Sequence, residues 1–382
     1  MLNLGQILDK FFIQVSLLLS KPHSVRPSIA TLSKEDLLLE FKGSRVLIPD
    51  LYALLPGWRF NVNKHCDSVR KQLNEWMLSW VDDEKNRRRM QAADFALLAG
   101  CFYPDAEEEE YLMMAYYHLW VFVWDDELDC GPLTHDYEGA QIFRKETDDC
   151  LHYTLGPEPF KEPRPPIGPI MAPFCEVAEK VVAGSTPDAR AEVLRELEGY
   201  VEGACALPGE RQGEKDQKAF LSMEKFMAQR ARSGGAGPSI TLLLYIYHID
   251  LPTLILEHDT LQTIFHQACL IVHLVNDIVS FVKEIRDDQL DNIVPVLAIE
   301  HSITLQEAIE RACDLVRAAR HSLEMAETHL PVTGSTELDG QIARYVQGCK
   351  DVAAGNLHWS YQNARYFGQN PQREGNKIFL QI

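Results

Sequence analysis

Three observations predict an all-α fold. Apolar residues recur mostly at three- and four-residue spacing from about residue 45 onward. Strand-like alternation flanked by hairpin turns is scarce. Distinct breakers, "PGWRFN", "GPEPFKEPRPPIGP", "LPGERQGEKDQ", "SGGAGPS" and "LPVTGST", separate the periodic segments. Residues 1–43 read as a leader, flexible or loosely docked, and residues 44–382 as one domain. Helices are expected near 65–81, 90–101, 106–128, 136–154, 172–184, 187–205, 216–232, 239–248, 261–285, 303–328 and 338–367. The Pro-rich stretch 157–173 reads as a surface connection, because helical segments of the same character lie on both sides of it. The expected architecture is one helical bundle.

The bulk numbers narrow the function. A chain of 382 residues with 46% hydrophobic content can bury a sizeable core. Its 37 Lys and Arg against 56 Asp and Glu leave a net charge of −19. That balance argues against nucleic acid or an anionic membrane as partner, and an anionic substrate would need cations to mediate its binding. Nine scattered cysteines without a C-x-x-C pair read as reduced thiols of a cytoplasmic protein. The run "FFIQVSLLLS" (11–20) resembles a short signal core. Asp9 precedes Lys10, however, and no small-x-small cleavage site follows, so an amphipathic leader is the better reading. No apolar run approaches the roughly 20 residues of a membrane span, so stable membrane insertion is not expected. A monomer or homodimer is expected.

Two polar clusters interrupt the apolar helices. The stretch "EEEEYLMMAYYHLWVFVW" delivers Asp125, Asp126, Glu127 and Asp129 at its end. At about 100° per residue, Asp125 and Asp129 share a face while Asp126 turns away. A charged helix C-terminus is electrostatically poor, since carboxylates oppose the dipole. A calcium loop is a weak alternative, because Cys130 stands where the turn needs glycine. The other Asp pairs, at 82–83, 148–149 and 287–288, lie in polar settings and read as solvated faces. In "HLVNDIVSFVKEI", Asn276, Ser280 and Glu284 recur every fourth residue. An amide oxygen, a hydroxyl and a carboxylate therefore line one face within about 80°. Three hard oxygen donors suit Mg²⁺, which shares its shell readily with phosphate oxygens. Candidate cations for a phosphate are Arg230, Lys283 and Arg365, the last followed by Tyr366.

These motifs resemble class I terpene cyclases, in particular the fungal sesquiterpene cyclase group that includes presilphiperfolanol synthase. The resemblance spans roughly residues 45–370 through "VLIPDL", "FYPDAEEE", "VFVWDDELD", "RARSGGAGPS", "LVNDIVSFVKE" and "GNLHWSYQNARYFG". It implies a single-domain class I terpenoid synthase-like bundle with a central apolar active-site cavity. It also implies three Mg²⁺ ions. Asp125 would bridge two of them, with Asp126 or Asp129 assisting, while Asn276, Ser280 and Glu284 would hold the third. Arg230 resembles the diphosphate sensor, and Lys283, Arg365 and Tyr366 resemble diphosphate donors. Ser233 and Gly234 occupy the positions where a helix break aims a carbonyl at the substrate, although the family often has Thr, Asp or Asn where Ser233 stands. Phe122, one turn before Asp125, and Trp359, one heptad before Tyr366, are the expected aromatic walls, with Phe95 a weaker one.

The implied reaction ionises a linear prenyl diphosphate, farnesyl diphosphate by choice, cyclises the carbocation to a sesquiterpene and releases diphosphate. Use of geranylgeranyl diphosphate is the alternative. A chain-elongating prenyltransferase would normally carry a second aspartate-rich motif where this chain has N-D-x-x-S-x-x-x-E. A non-catalytic isoprenoid-binding protein would need both metal motifs and the basic set by coincidence.

Overall fold

The computed structural model describes residue 29 and residues 32–217, 222–368 and 370–382; the apolar run at 11–20 lies outside them. Seventeen α-helices, one short 3-10 helix (Leu51–Leu54) and three strands follow one another among these residues. The site depends on two long central helices. Helix α5 (Glu108–Asp129) opens with Glu108, Glu109 and Glu110, which complement the positive end of its dipole. It is apolar nearly all round, and it buries Tyr111, Tyr117, Trp120 and Trp124. Helix α13 (Asp259–Arg286) is N-capped by His258 and carries Lys283 and Arg286 in its last turn, again matching the dipole. It packs between α15 (Leu305–Glu327) and α16 (Thr336–Gln362).

Several expected segments are divided by local chemistry. The 90–101 segment is two helices, α3 (Glu84–Ala93) and α4 (Phe95–Phe102). Asp94 sits between them at φ 52°, and its carboxylate accepts from Leu97 N. The 303–328 segment starts at Thr304, which forms a reciprocal capping box with Glu307. Ahead of it lies α14 (Ile293–His301), capped by Asn292; Pro295 in its first turn disguises it in the sequence, although that is where a helix tolerates proline. Asn363 ends α16 and caps the short α17 (Ala364–Phe367).

In the other direction, "LPGERQGEKDQ" does not break the chain. Helix α8 runs from Pro187 to Gln217 with Pro208 inside it. The Cys205 carbonyl, in the turn before Pro208, is satisfied by the Gln141 side chain at 2.9 Å. Gly209 is needed there because a Cβ would lie 2.7 Å from the Tyr137 ring.

The "SGGAGPS" break is present. Helix α9 (Met223–Ser233) ends at Gly234, and α10 (Ala236–Thr241) restarts after Gly235.

Two features add to the expected pattern. Residues 34–41, placed in the leader, form helix α1 (Lys34–Phe41), capped by Ser33 and packed inward through Leu37, Leu38 and Phe41. Lys42, just after it, pairs with Asp288 at 2.5 Å. A small antiparallel sheet, in the order β1 (Arg45–Ile48), β3 (Lys377–Gln381), β2 (Gln372–Glu374), ties the start of the expected domain to its C-terminal end. Its register pairs Arg45 with Gln381 and Ile48 with Ile378. All nine cysteines are free thiols.

Candidate active site

The C-terminal end of α5 and the C-terminal half of α13 face one cleft. Asp125, Asp129, Leu207, Arg211, Phe226, Gln229, Arg230, Ser233, Asp277, Glu284, Gln289 and Asp291 line it. The first rim comes from α5. Asp125 Oδ1 accepts a hydrogen bond from the Tyr200 hydroxyl at 2.7 Å, and Asp129 accepts from Arg211 at 3.0 Å. Asp126 is on the other side, as the helical angle requires. Arg89 of α3 grips both its oxygens, so it does not line the cleft.

The second rim comes from α13. Asn276 Oδ1 accepts from Arg230 Nη2 at 2.9 Å, while its amide donates to the Tyr366 hydroxyl at 2.9 Å. The Asn292 amide donates to Glu284 Oε2 at 2.9 Å and to Ser280 Oγ at 3.3 Å. In this state all three donor oxygens of the motif are held by protein hydrogens. Asp277, between them, is the partner that sequence reasoning passed over. It binds the Arg230 guanidinium at 3.0–3.1 Å and accepts from Ile293 N at 3.2 Å, fixing the start of α14.

The cations divide into two kinds. Arg230 lies between the rims. Arg365 lies over the Phe122 ring at 5.2 Å and the Tyr366 ring at 5.9 Å, with its buried Nε lacking a hydrogen-bond partner among the described residues. Lys283 departs from expectation: it is exposed, pairs with Asp287 at 3.2 Å and does not line the cleft. Beneath Arg365 the expected wall aromatics are packed together. Phe95 and Phe122 are 4.6 Å apart, Phe122 and Trp359 6.3 Å, and Trp359 and Tyr366 5.7 Å. The Trp359 indole donates to the Ala93 carbonyl at 2.8 Å, which fixes its plane.

Gly234 is required by its neighbour: a Cβ there would lie 2.1 Å from His273 Nε2. His273 sits one turn before Asn276, and burial, with the Arg230 charge adding, lowers its pKa to about 3, so it is neutral near pH 7. Ser233 lines the cleft beside it.

Electrostatics give the cleft its demand. Burial pushes the Asp125 carboxyl up to about 8, reinforced by Asp129 and opposed by the Tyr200 hydrogen bond. Burial raises Glu284 to about 7, with Asp277 adding and Ser280 and Asn292 opposing. Carboxylates that resist ionisation because they are desolvated and mutually repelled are stabilised by a cation placed among them. Among the described residues, no group of His, Cys, Asp and Glu side chains converges to hold an ion by itself. The donor set here is shared between two rims and draws on an amide and a hydroxyl as well. Its chemistry, all hard oxygen with neither thiolate nor imidazole, fits a divalent cation such as Mg²⁺.

A helical bundle with two oxygen-rich rims around an acidic cleft that also holds Arg211 and Arg230 fits a class of metal-dependent enzymes for phosphorylated substrates. The comparisons with known proteins are specific. A family model described as "Terpene synthase family 2, C-terminal metal binding" matches residues 116–322. Terpene cyclase braA of Annulohypoxylon truncatum is 31% identical over 350 residues, covering 91% of this chain and 92% of that protein. Silphinene synthase peniA of Penicillium patulum is 28% identical over 331 residues, covering 86% and 87%. Among solved structures, germacradien-4-ol synthase from Streptomyces citricolor superposes with a TM-score of 0.68 at 19% identity, over 80% of this chain and 96% of that one. That last likeness concerns the fold. The chain belongs to terpene synthase family 2 and is a class I terpene cyclase of the fungal group.

Proposed function

We propose that this protein is a Mg²⁺-dependent cyclase that converts farnesyl diphosphate to a sesquiterpene and releases diphosphate. The observation that carries the reading is the cleft that Asp125 and Asp129 of one helix share with Glu284 and Asp277 of the other and with Arg230; Asn276 and Ser280 stand behind its lining, joined to it through Arg230 and through Asn292 with Glu284. Farnesyl is chosen from the resemblance to the fungal sesquiterpene group, and geranylgeranyl diphosphate is the alternative. Three Mg²⁺ ions held by these rims would act as Lewis acids on the diphosphate as negative charge gathers on it.

The chain's own residues do the rest. Arg230 exchanges its bond to Asn276 for one to the diphosphate, which frees the amide oxygen for the metal. Arg365, with an unspent donor, and the Tyr366 hydroxyl bind the leaving group from the aromatic side. Asp129 assists Asp125 from the cleft; Asp126 reaches the site only by releasing Arg89. Lys283 contributes only by leaving Asp287. Phe122, Trp359 and Phe95 supply inert π faces to the developing cation, and the Ser233–Gly234 break turns backbone dipoles toward it. The cyclase domain is assigned to residues 44–382, with α1 packed onto it.

Incubation with MgCl₂ and, separately, geranyl, farnesyl and geranylgeranyl diphosphate, followed by mass spectrometry of the extract, tests the reading. Cyclic fifteen-carbon hydrocarbons from farnesyl diphosphate are expected. A cyclic twenty-carbon product alone selects the alternative, and no product from any substrate overturns both.

A further inference from the structure

Tyr200 lies on α8, 75 residues in sequence from the acidic motif, and no sequence signal marks it. Its ring is only 5% exposed. It packs at 5.4 Å from Trp124, the residue just before Asp125, and Trp124 in turn stacks on Phe143 at 5.3 Å and donates to Thr147 Oγ1 at 3.0 Å. The edge of the Tyr200 ring also lies 3.9 Å from where a Gly235 Cβ would stand, on the side of the helix break. Within this packed frame the hydroxyl makes one hydrogen bond among the described residues, to Asp125 Oδ1 at 2.7 Å. The short contact to a carboxylate is charge-assisted and directional.

We infer that Tyr200 is a positioning residue for the Asp125 carboxylate. It holds one oxygen at a fixed angle, occupies one of that oxygen's lone pairs, and leaves the remaining ones aimed into the cleft. A ligating carboxylate that is itself hydrogen-bonded enters its metal site without first losing side-chain rotamer freedom. The ring's packing on Trp124 ties this hydrogen bond to the residue that precedes Asp125. This inference rests on the cyclase reading, in which Asp125 binds metal.

The test uses the full-length protein and a readout separate from turnover: the rise in melting temperature as MgCl₂ is titrated in the presence of inorganic diphosphate. Tyr200→Phe keeps the ring and removes the hydroxyl. It is expected to raise the half-saturating Mg²⁺ concentration about tenfold in both the melting and the turnover assays. Turnover at saturating Mg²⁺ should stay within a few-fold of the native value. Thr147→Val, which loosens Trp124 without touching the hydroxyl, should change the melting temperature but not the Mg²⁺ midpoint. In an Asp125→Asn background, Tyr200→Phe should add nothing.

An unchanged midpoint in Tyr200→Phe, or an equal shift in Thr147→Val, overturns the inference. If Asp125→Asn itself leaves the Mg²⁺ response intact, it is the metal reading of Asp125 that fails.

Discussion

At the scale of single residues, the site is built from charges held in unfavourable surroundings. Asp125 titrates near 8 in the folded protein against 3.8 when free, and Glu284 near 7 against 4.5. Between those values the folded chain holds more protons than the unfolded one, so its stability falls as pH rises from about 4 to about 8. The melting temperature in EDTA should therefore drop between pH 5.5 and pH 8.5, and added MgCl₂ should recover more at the higher pH. A pH-independent response to Mg²⁺ would contradict this. Asp125→Asn and Glu284→Gln should each lower turnover by about a hundredfold or more while leaving the fold intact by circular dichroism. Since both residues are desolvated, neither change should lower the metal-free melting temperature, which a loss of packing would do. Helical spacing made the alignment of Asn276, Ser280 and Glu284 legible in the sequence. Other partners were not legible: Asn292, which binds Ser280 and Glu284, Tyr200, which binds Asp125, and Arg89, which binds Asp126, reach the motifs from other elements, and only the fold brings them there. Lys283 shows the opposite error, since adjacency to Glu284 in sequence puts it about 100° away on the helix, facing solvent.

At the scale of elements, strong breakers and long periods were readable. The α9–α10 break falls within "SGGAGPS", and α5 and α13 lie close to their expected limits. Pro208 misled because the helix continues through it, with the Gln141 side chain binding the Cys205 carbonyl in the preceding turn. The C-terminal strands were hidden since β2 is wholly exposed and β3 buries one residue in its span, Ile378, leaving little alternation to detect. The helix break carries its own prediction. Gly234→Ala would drive a methyl into His273, so it should cost about 1–3 kcal/mol in urea unfolding. Its turnover should fall by more than that loss explains, because the backbone at the break is displaced. Combining it with His273→Ala should restore much of the stability; failure to do so would mean that the glycine is needed for some other reason.

At the scale of the whole molecule, the sheet ties the chain's C-terminal end to β1, and Gln306 of α15 holds β1 in turn through the Leu47 amide at 2.8 Å. Removing residues 370–382 uncovers the Ile48 pairing and deletes the fully buried Ile378. A loss of about 2 kcal/mol or more is expected, read as a lower urea midpoint. The net charge of −19 has a consequence at this scale too. A diphosphate approaching so acidic a protein is repelled unless cations accompany it, so substrate binding and metal binding should be inseparable. The central claim is that the two rims together collect metal around a diphosphate. A crystal grown with MnCl₂ and inorganic diphosphate, measured at the manganese absorption edge, tests it most directly. Anomalous density is expected beside Asp125 and between Asn276, Ser280 and Glu284, with Arg230 turned from Asn276 toward the diphosphate. Diphosphate bound in the cleft with no manganese at either rim would contradict it.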